Sequence, residues 1–296
     1  MSTQRRIGRF TVSPIGLGAM PLSASGKPAP PREQAFATIH AALDAGITVI
    51  DTADIYAPSW DTMGHNETLV AEALAAYPGD TSHIVIATKG GITRAEGEVW
   101  GRDGSADYLR TAAQRSRERL GVDAIDLYYW HRPDRTIRYA DGIEALATLQ
   151  RDGIITEVGI SNANVEEIQV AIDVLGEGQL AAVQNEFSPR FNHTSFPELT
   201  FCAEHGIAFL PWSPLGGTSG GAAALGARHP VLAAIADELG VSPQRLTLAW
   251  QLALGEHVIP IPGASRPESI TDSAQAASLQ LTHEQVERIS DAVLSR

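Results

Sequence analysis

Short apolar segments alternate with longer amphipathic segments along almost the whole chain of 296 residues. The short segments are dense in aliphatic residues throughout, which is typical of strands covered on both faces of a parallel sheet. Eight such segments are present: Ile15–Met20, Ile47–Ile50, Ile84–Ala87, Ile125–Trp130, Ile155–Ile160, Leu180–Val183, Ile207–Trp212 and Val258–Ile261. This alternation indicates a β/α architecture.

The amphipathic segments carry helix signals at their ends. Asp107–Leu120 and Asp141–Asp152 each place aliphatic residues on one face, and each is followed closely by a glycine, which favours a helix stop. Ser242 precedes a proline, a pair that is typical of a helix start. Thr282 and Gln285 have the spacing of a capping box for a last helix.

Eight strands that alternate with helices predict an α/β fold of the (β/α)8 TIM-barrel type. A preceding segment, Arg6–Val12, is expected to form a small N-terminal hairpin that plugs the barrel floor. No Pro/Ser-rich linker or low-complexity tract divides the sequence, so residues 1–296 are interpreted as a single barrel domain.

A doubly wound dinucleotide-binding fold is the competing architecture. Its best support is the stretch Gly16–Met20, but Pro21 stands where the third glycine of the fingerprint belongs. The following residues also lack a helix start, so the fingerprint fails in the context that it requires.

Composition limits the classes of function. The chain has 22 Lys+Arg against 35 Asp+Glu, a net charge of -13, which disfavours binding to nucleic acid or to an anionic membrane. No apolar run approaches the roughly 20 residues of a membrane span, and no signal peptide is visible. The single cysteine, Cys202, excludes an internal disulfide and fits a reducing compartment, so a cytoplasmic protein is expected.

Polar residues directly follow several predicted strands. Asp51 follows the second strand, Lys89 the third and His131 the fourth, and Tyr56 lies five positions after Asp51. Each alone is also explained structurally, as a turn cap, an end-of-strand charge, a loop histidine or a packing tyrosine. Because active sites in β/α barrels lie at the carboxyl ends of the strands, we expect the acid, the lysine and the histidine to face one another there.

This quartet indicates protonation of a developing alkoxide. A phenol with a pKa of about 10 is a weak acid near neutrality, and a nearby ammonium favours the phenolate. Lys89 would supply that charge, Asp51 would hold Lys89 through an ion pair, and His131 would orient or polarise a carbonyl. Proton transfer by a placed side chain contributes roughly 10²–10⁴ in rate.

With these residues, the sequence resembles the aldo-keto reductase superfamily, in its bacterial type with a short C-terminus. The similarity extends from about Arg6 to the end and follows the order of the family's motifs. The matching segments are Asp51-Thr52-Ala53-Asp54-Ile55-Tyr56, Ala87-Thr88-Lys89-Gly90-Gly91, Tyr129-Trp130-His131-Arg132-Pro133-Asp134, Gly159-Ile160-Ser161-Asn162, Val183-Gln184-Asn185-Glu186, Trp212-Ser213-Pro214-Leu215-Gly216 and Ile261-Pro262-Gly263-Ala264-Ser265-Arg266.

The resemblance implies a metal-independent barrel enzyme that moves a hydride between a nicotinamide cofactor and a small-molecule carbonyl. Tyr56 is then the general acid, Lys89 tunes it, Asp51 pairs with Lys89 and His131 orients the carbonyl. The resemblance also implies a set of cofactor-binding residues: Ala19, Met20, Asp51, Ser161, Asn162, Gln184, Trp212, Ser213, Pro214, Leu215, Gly216, Gly217, Gly263, Ser265, Arg266, Ser269, Asp272 and Ser273.

Within that set, Trp212 would stack on the nicotinamide, and the glycines after it would let backbone N–H groups approach the pyrophosphate. Ser265 and Arg266 suit a 2′-phosphate, so NADP(H) is preferred and NAD(H) is the alternative. Ser269 and the pair Asp272-Ser273 depart from the family, which weakens both the grip on adenine and the NADP preference. The segment Gly220–Gly226 is interpreted as a flexible loop over the cofactor.

The substrate pocket is predicted to contain Tyr56 and His131, with Trp60 and Trp100 as an apolar wall. Loop packing is the structural alternative for both tryptophans. No pair of histidines has the spacing of a helical metal site, so no metal is expected.

Two rival functions stay open on the sequence. The first is an NADP(H)-binding, redox-sensing regulatory subunit with little turnover. The second is a barrel lyase or aldolase that uses Lys89 as a Schiff base.

Overall fold

The computed structural model describes residues 4–24, 28–193, 195–217 and 220–294. Its largest sheet has seven parallel strands. In order across the sheet they are β11 Ala208–Phe209, β10 Leu180–Gln184, β9 Ile155–Ser161, β8 Ile125–Trp130, β5 Val85–Gly90, β4 Val49–Asp51 and β3 Leu17–Gly18.

The sheet closes through the eighth predicted segment. Phe209 forms a parallel bridge with Val258, and Gly18 forms one with Gly263. The backbone N–H of Gly18 donates to the Pro262 carbonyl at 3.0 Å. Pro260 and Pro262 have no N–H to return these bonds, so the segment joins the two edges by isolated bridges instead of a continuous ladder. The predicted barrel is confirmed.

Two antiparallel hairpins accompany the barrel. The first pairs β1 Arg5–Ile7 with β2 Phe10–Val12, which confirms the predicted N-terminal hairpin. Ile7 and Val12 pack into the barrel interior with Val49, Leu127 and Tyr129. Complete burial of one such aliphatic side chain contributes about 1.5–3 kcal/mol, so this arm stabilises the amino-terminal end of the barrel.

The second hairpin pairs β6 Ile92–Ala95 with β7 Val99–Arg102 and lies directly after β5. The sequence analysis did not predict it. Gly97 and Glu98 adopt left-handed φ values of 76° and 62° at its turn, a conformation that glycine favours.

Helices cover the outer face of the barrel. They are α1 Arg32–Asp44, α2 His65–Ala76, α3 Ala106–Leu120, α4 Tyr139–Arg151, α5 Val165–Leu175, α6 Phe196–Glu204, α7 Leu225–Arg228, α8 Pro230–Leu239, α9 Pro243–Ala253, α10 Pro267–Ala274 and α11 His283–Leu294. Short 3-10 helices span Met20–Leu22, Trp60–Thr62, Ala222–Ala224 and Gln275–Ser278.

The helix signals in the sequence correspond to helix starts in the structure. The Ser242 hydroxyl accepts from the Arg245 N–H at 3.0 Å at the start of α9. Thr282 and Gln285 bond each other reciprocally at the start of α11, at 2.9 and 3.2 Å. Each cap of this kind contributes about 0.5–2 kcal/mol.

Candidate active site

Asp51 and Lys89 meet at the carboxyl end of the sheet. Asp51 ends β4, and Lys89 lies near the end of the adjacent β5. The Lys89 ammonium donates to Oδ1 of Asp51 at 2.6 Å, and both side chains are buried. Burial acts to lower the pKa of Lys89, but the Asp51 carboxylate and Tyr56 outweigh it and raise that pKa. The lysine is therefore held as an ammonium ion.

Further hydrogen bonds fix this ion pair. The Lys89 ammonium also donates to the Thr52 carbonyl at 2.7 Å, and Nε2 of Gln184 donates to the second Asp51 oxygen at 2.7 Å. A protonated, buried and fully hydrogen-bonded amine is not a nucleophile. The arrangement therefore disfavours Schiff-base chemistry at Lys89.

Tyr56 lies beside the ammonium. Its hydroxyl is 3.4 Å from Nζ of Lys89, and its ring meets the His131 ring edge-on, with centroids 5.8 Å apart. Burial raises the pKa of Tyr56, whereas Lys89 acts to lower it without cancelling the effect of burial. The phenol is thus protonated near neutral pH, and the ammonium lies where a phenolate would form.

His131 directly follows β8 and lies opposite Tyr56. Burial lowers its pKa well below the usual value, and Lys89, Arg132 and Arg102 lower it further. Its ring is therefore neutral near pH 7. A neutral imidazole has one N–H donor and one acceptor nitrogen, so it suits orientation of a carbonyl by a hydrogen bond.

Asp51, Tyr56 and His131 line a cavity of about 550 Å³ at the carboxyl end of the barrel, whereas Lys89 is buried and does not line it. Most of the predicted cofactor and substrate residues line it. They are Met20, Asp51, Tyr56, His131, Ser161, Asn162, Gln184, Trp212, Ser213, Pro214, Leu215, Gly217, Gly263, Ser265, Arg266 and Ser269. Ala19, Gly216, Asp272 and Ser273 do not line this cavity, and neither do Trp60 and Trp100.

One wall of the cavity is built from amides and hydroxyls. Ser161 ends β9 and Gln184 ends β10, so the two neighbouring strands place them side by side. Asn162 has a left-handed φ of 59°, and its Nδ2 donates to the His131 carbonyl at 3.0 Å. The polar atoms of this wall suit a planar carboxamide.

A second wall joins an aromatic ring to glycine-rich backbone. Trp212 is half-buried and lines the cavity with Gly217 and Gly220. Gly221 packs against Gly216 so closely that a Cβ atom would lie 2.2 Å from the Gly216 oxygen. The expected flexible loop is largely helical, because Ala222–Ala224 and α7 follow directly, and Gln244 donates to the Ala222 carbonyl at 2.6 Å.

The far end of the cavity lies at the start of α10. Ser265, Arg266 and Ser269 line it, and the Arg266 side chain is exposed. A helix N-terminus with hydroxyls and a guanidinium suits a phosphate. In contrast, Arg245 and Ser242 hold the Asp272 carboxylate, each at 2.5 Å, so its acceptors are used within the protein. Ser273 is buried and donates to the Ser269 carbonyl.

The two tryptophans that were expected to form an apolar wall lie outside the cavity, Trp60 in a short 3-10 helix and Trp100 on β7. Trp60 and Trp100 are 38% and 54% exposed, and the Arg94 guanidinium packs over the Trp100 ring at 4.8 Å. The apolar contribution near the reacting groups comes instead from Ile55 and Ile92. Ile55 precedes Tyr56 directly, and Ile92 follows the lysine strand, but no sequence pattern indicated that they line the cavity.

Arg132 is a charged residue that lines the cavity, and the sequence analysis did not assign it a role. It directly follows His131, and that adjacency was the only available signal. Among the described residues, no group of three or more His, Cys, Asp or Glu side chains is arranged to hold a metal ion. Within those same ranges, no helix has the length and apolar character to cross a membrane.

Comparisons with known proteins agree with this geometry. The family model described as "Aldo/keto reductase family" matches residues 14–293. A 6-dehydroglucose reductase of Novosphingobium aromaticivorans is 36% identical over 284 residues, which cover 93% of this chain and 90% of the relative.

Solved structures have the same fold. The glycerol dehydrogenase of Gluconobacter oxydans superposes with a TM-score of 0.81 at 25% identity, covering 99% of this chain and 97% of that one. An aldo/keto reductase of Klebsiella pneumoniae in complex with NADP and acetate has the same TM-score and identity, with coverage of 99% and 96%. The chain described here therefore belongs to the aldo/keto reductase family of oxidoreductases.

Proposed function

We propose that this protein reduces aldehydes or ketones to alcohols with NADPH, and that Tyr56 is the general acid. The single observation that carries the proposal is the close grouping of three side chains: Tyr56 and His131 line the cavity with ring centroids 5.8 Å apart, and the buried Lys89 ammonium lies 3.4 Å from the Tyr56 hydroxyl. When bound, the cofactor supplies a hydride to the carbonyl carbon.

The protein's own residues deal with the charge that forms on the carbonyl oxygen. Neutral His131 donates a hydrogen bond that orients this oxygen, and Tyr56 transfers its proton to it. The resulting phenolate lies beside the Lys89 ammonium, which Asp51 keeps in place. Such preorganised charge costs no rearrangement during the reaction.

The cavity residues fit a nicotinamide dinucleotide. The amide and hydroxyl wall of Ser161, Asn162 and Gln184 would hold the carboxamide, and Trp212 would stack on the ring. Ser265 and Arg266 at the start of α10 would bind the 2′-phosphate, which favours NADP(H) over NAD(H). The Klebsiella pneumoniae relative has been solved with NADP and with NADPH, which supports the same cofactor here.

The test is a fluorescence titration of the protein with NADPH and with NADH, followed by a panel of carbonyl compounds assayed at 340 nm. We expect quenching at a much lower concentration of NADPH, and loss of most of that quenching in Trp212→Leu. Absence of quenching by both nucleotides would contradict the proposal. Tight NADPH binding without turnover of any carbonyl would instead favour the redox-sensing alternative.

A further inference from the structure

Arg132 contributes an unpaired positive charge to the wall of the active-site cavity. Its side chain is half-buried, and its guanidinium carbon lies 6.0 Å from the centre of the Trp212 ring. Across the described ranges of the chain, it forms no ion pair or hydrogen bond. Arginine is usually paired when it is removed from water, so an unpaired guanidinium inside a cavity requires a functional explanation.

Neighbouring charges do not neutralise this guanidinium. Arg102, at the end of β7, adds a second positive charge that lowers the pKa of Arg132, after the larger effect of burial. Glu186 opposes both effects from beyond ion-pair distance, and Arg190 is a further cation near Glu186. Asp134 is a second carboxylate here and interacts with Arg102, but the three arginines still outnumber the two carboxylates at this wall, although the whole protein carries a net charge of -13. The local field therefore attracts anions.

The charge lies at the reacting end of the cavity. Arg132 follows His131 in the chain, its charge lowers the pKa of His131, and it interacts electrostatically with Tyr56. Arg266, which suits the cofactor phosphate, instead lies at the start of α10. The two arginines thus serve different parts of the cavity.

We propose that Arg132 selects carbonyl substrates that carry an anionic group, a carboxylate or a phosphate, and binds that group while His131 orients the carbonyl. The inference rests on the proposed reductase function and names its substrate class. A guanidinium makes two parallel hydrogen bonds to a carboxylate or phosphate, which supplies both affinity and orientation. Since the site is partly removed from water, the interaction is stronger than a surface ion pair.

The experiment compares two aldehydes of nearly the same shape, 4-formylbenzoate and its neutral amide, 4-formylbenzamide, with NADPH as reductant. For the wild-type protein, we expect kcat/KM for the anion to exceed that for the amide by about tenfold or more. Arg132→Gln should lower kcat/KM for the anion by about 10- to 100-fold and change the amide by less than about threefold. Arg132→Lys should keep part of the preference, since it keeps the charge.

Arg115→Gln is the control, because it removes one exposed positive charge on the outer face of α3 and should leave the ratio of the two substrates unchanged. The NADPH dissociation constant should be the same in Arg132→Gln and in the wild type. Equal losses for both aldehydes would overturn the inference. A decrease in NADPH affinity with an unchanged substrate ratio would also overturn it, because Arg132 would then bind the cofactor.

A binding measurement keeps the inference testable if neither aldehyde is reduced. Calorimetry in the presence of NADP would compare 4-(hydroxymethyl)benzoate with 4-(hydroxymethyl)benzamide in the wild type and in Arg132→Gln. Tighter binding of the carboxylate that depends on Arg132 would support the anion site even though the reductase proposal had failed for these compounds. Equal binding of both compounds in both proteins would overturn it.

Discussion

The ammonium of Lys89, which is completely buried, lies 3.4 Å from the hydroxyl of Tyr56, which is half-buried and lines the cavity. Burial raises the pKa of this phenol, and the ammonium acts in the opposite direction. Burial keeps the proton on Tyr56 before the reaction. When the proton is transferred, the ammonium of Lys89 stabilises the phenolate that forms. The predictions below depend on this geometry.

Replacement of the proposed acid should affect the chemical step alone. Tyr56→Phe keeps the ring and removes the hydroxyl, so we expect kcat to decrease by roughly 10²–10⁴. NADPH affinity, measured by fluorescence quenching, should be unchanged, because the ring still packs against His131. A variant that keeps more than a tenth of the wild-type kcat would argue that another group protonates the oxygen.

Removal of one partner from the buried Asp51–Lys89 ion pair should lower the stability of the protein. Asp51→Asn leaves the buried Lys89 ammonium without its carboxylate, so the free energy of unfolding in urea should decrease by about 3–5 kcal/mol. The double variant Asp51→Asn/Lys89→Met removes both charges and should recover part of that loss. The matched control is Asp141→Asn, which removes the charge from the exposed pair with Arg138 in the first turn of α4 and should cost less than about 1 kcal/mol.

If Asp51→Asn alone and the double variant lose the same stability, the ion pair is not what stabilises this end of the barrel. Thermal unfolding of all three variants under the same buffer provides an independent check.

The lowered pKa of His131 should appear in the pH dependence of stability. In the unfolded chain a histidine takes up a proton near pH 6.5, whereas the folded protein resists protonation at this position. His131 therefore contributes nothing above that pH, and it lowers stability progressively as the pH decreases below it. His131→Gln should show a smaller loss of unfolding free energy between about pH 7 and pH 5.

A series of urea titrations across this pH range measures the difference between the two proteins. His229 and His257 also have lowered pKa values because of burial, so both proteins should keep some acid sensitivity. Parallel curves would show that His131 titrates normally.

The cofactor preference should depend on Arg266. Arg266→Gln removes a guanidinium from the start of α10, so NADPH affinity should decrease by about tenfold or more while NADH affinity stays the same. Arg6→Gln, on the hairpin at the amino-terminal end of the barrel, is the control for the loss of one exposed charge. Equal losses for both nucleotides would place Arg266 away from the 2′-phosphate.

Site residues whose position is set by the end of their own strand could be predicted from the sequence. The order of apolar segments indicated the barrel, and the polar residues after those segments identified Asp51, Lys89 and His131 as neighbours. This worked because all strands of a parallel barrel end at the same side, so position along a strand implies position in space. The eighth segment shows the limit of the pattern, since Pro260 and Pro262 reduce it to isolated bridges.

Residues whose role depends on partners distant in sequence could not be predicted in this way. The family resemblance implied that Asp272 contacts the cofactor, but Ser242 and Arg245 donate hydrogen bonds to its carboxylate. Trp60 lies in a short 3-10 helix and Trp100 on strand β7, and neither lines the cavity. Neither outcome follows from local periodicity, because each depends on which side chains meet after folding.

The sequence by itself determined the type and order of the elements and the side chains that end the strands, because periodicity and capping are local properties of the chain. Only the tertiary structure decided the charge states and the pairing within the site. Burial raises the pKa of Tyr56 although Lys89 acts to lower it, and among the residues that the structure describes Arg132 has no ion-pair or hydrogen-bond partner beside His131. Desolvation and Coulomb interactions depend on distances across the barrel, and folding alone sets those distances.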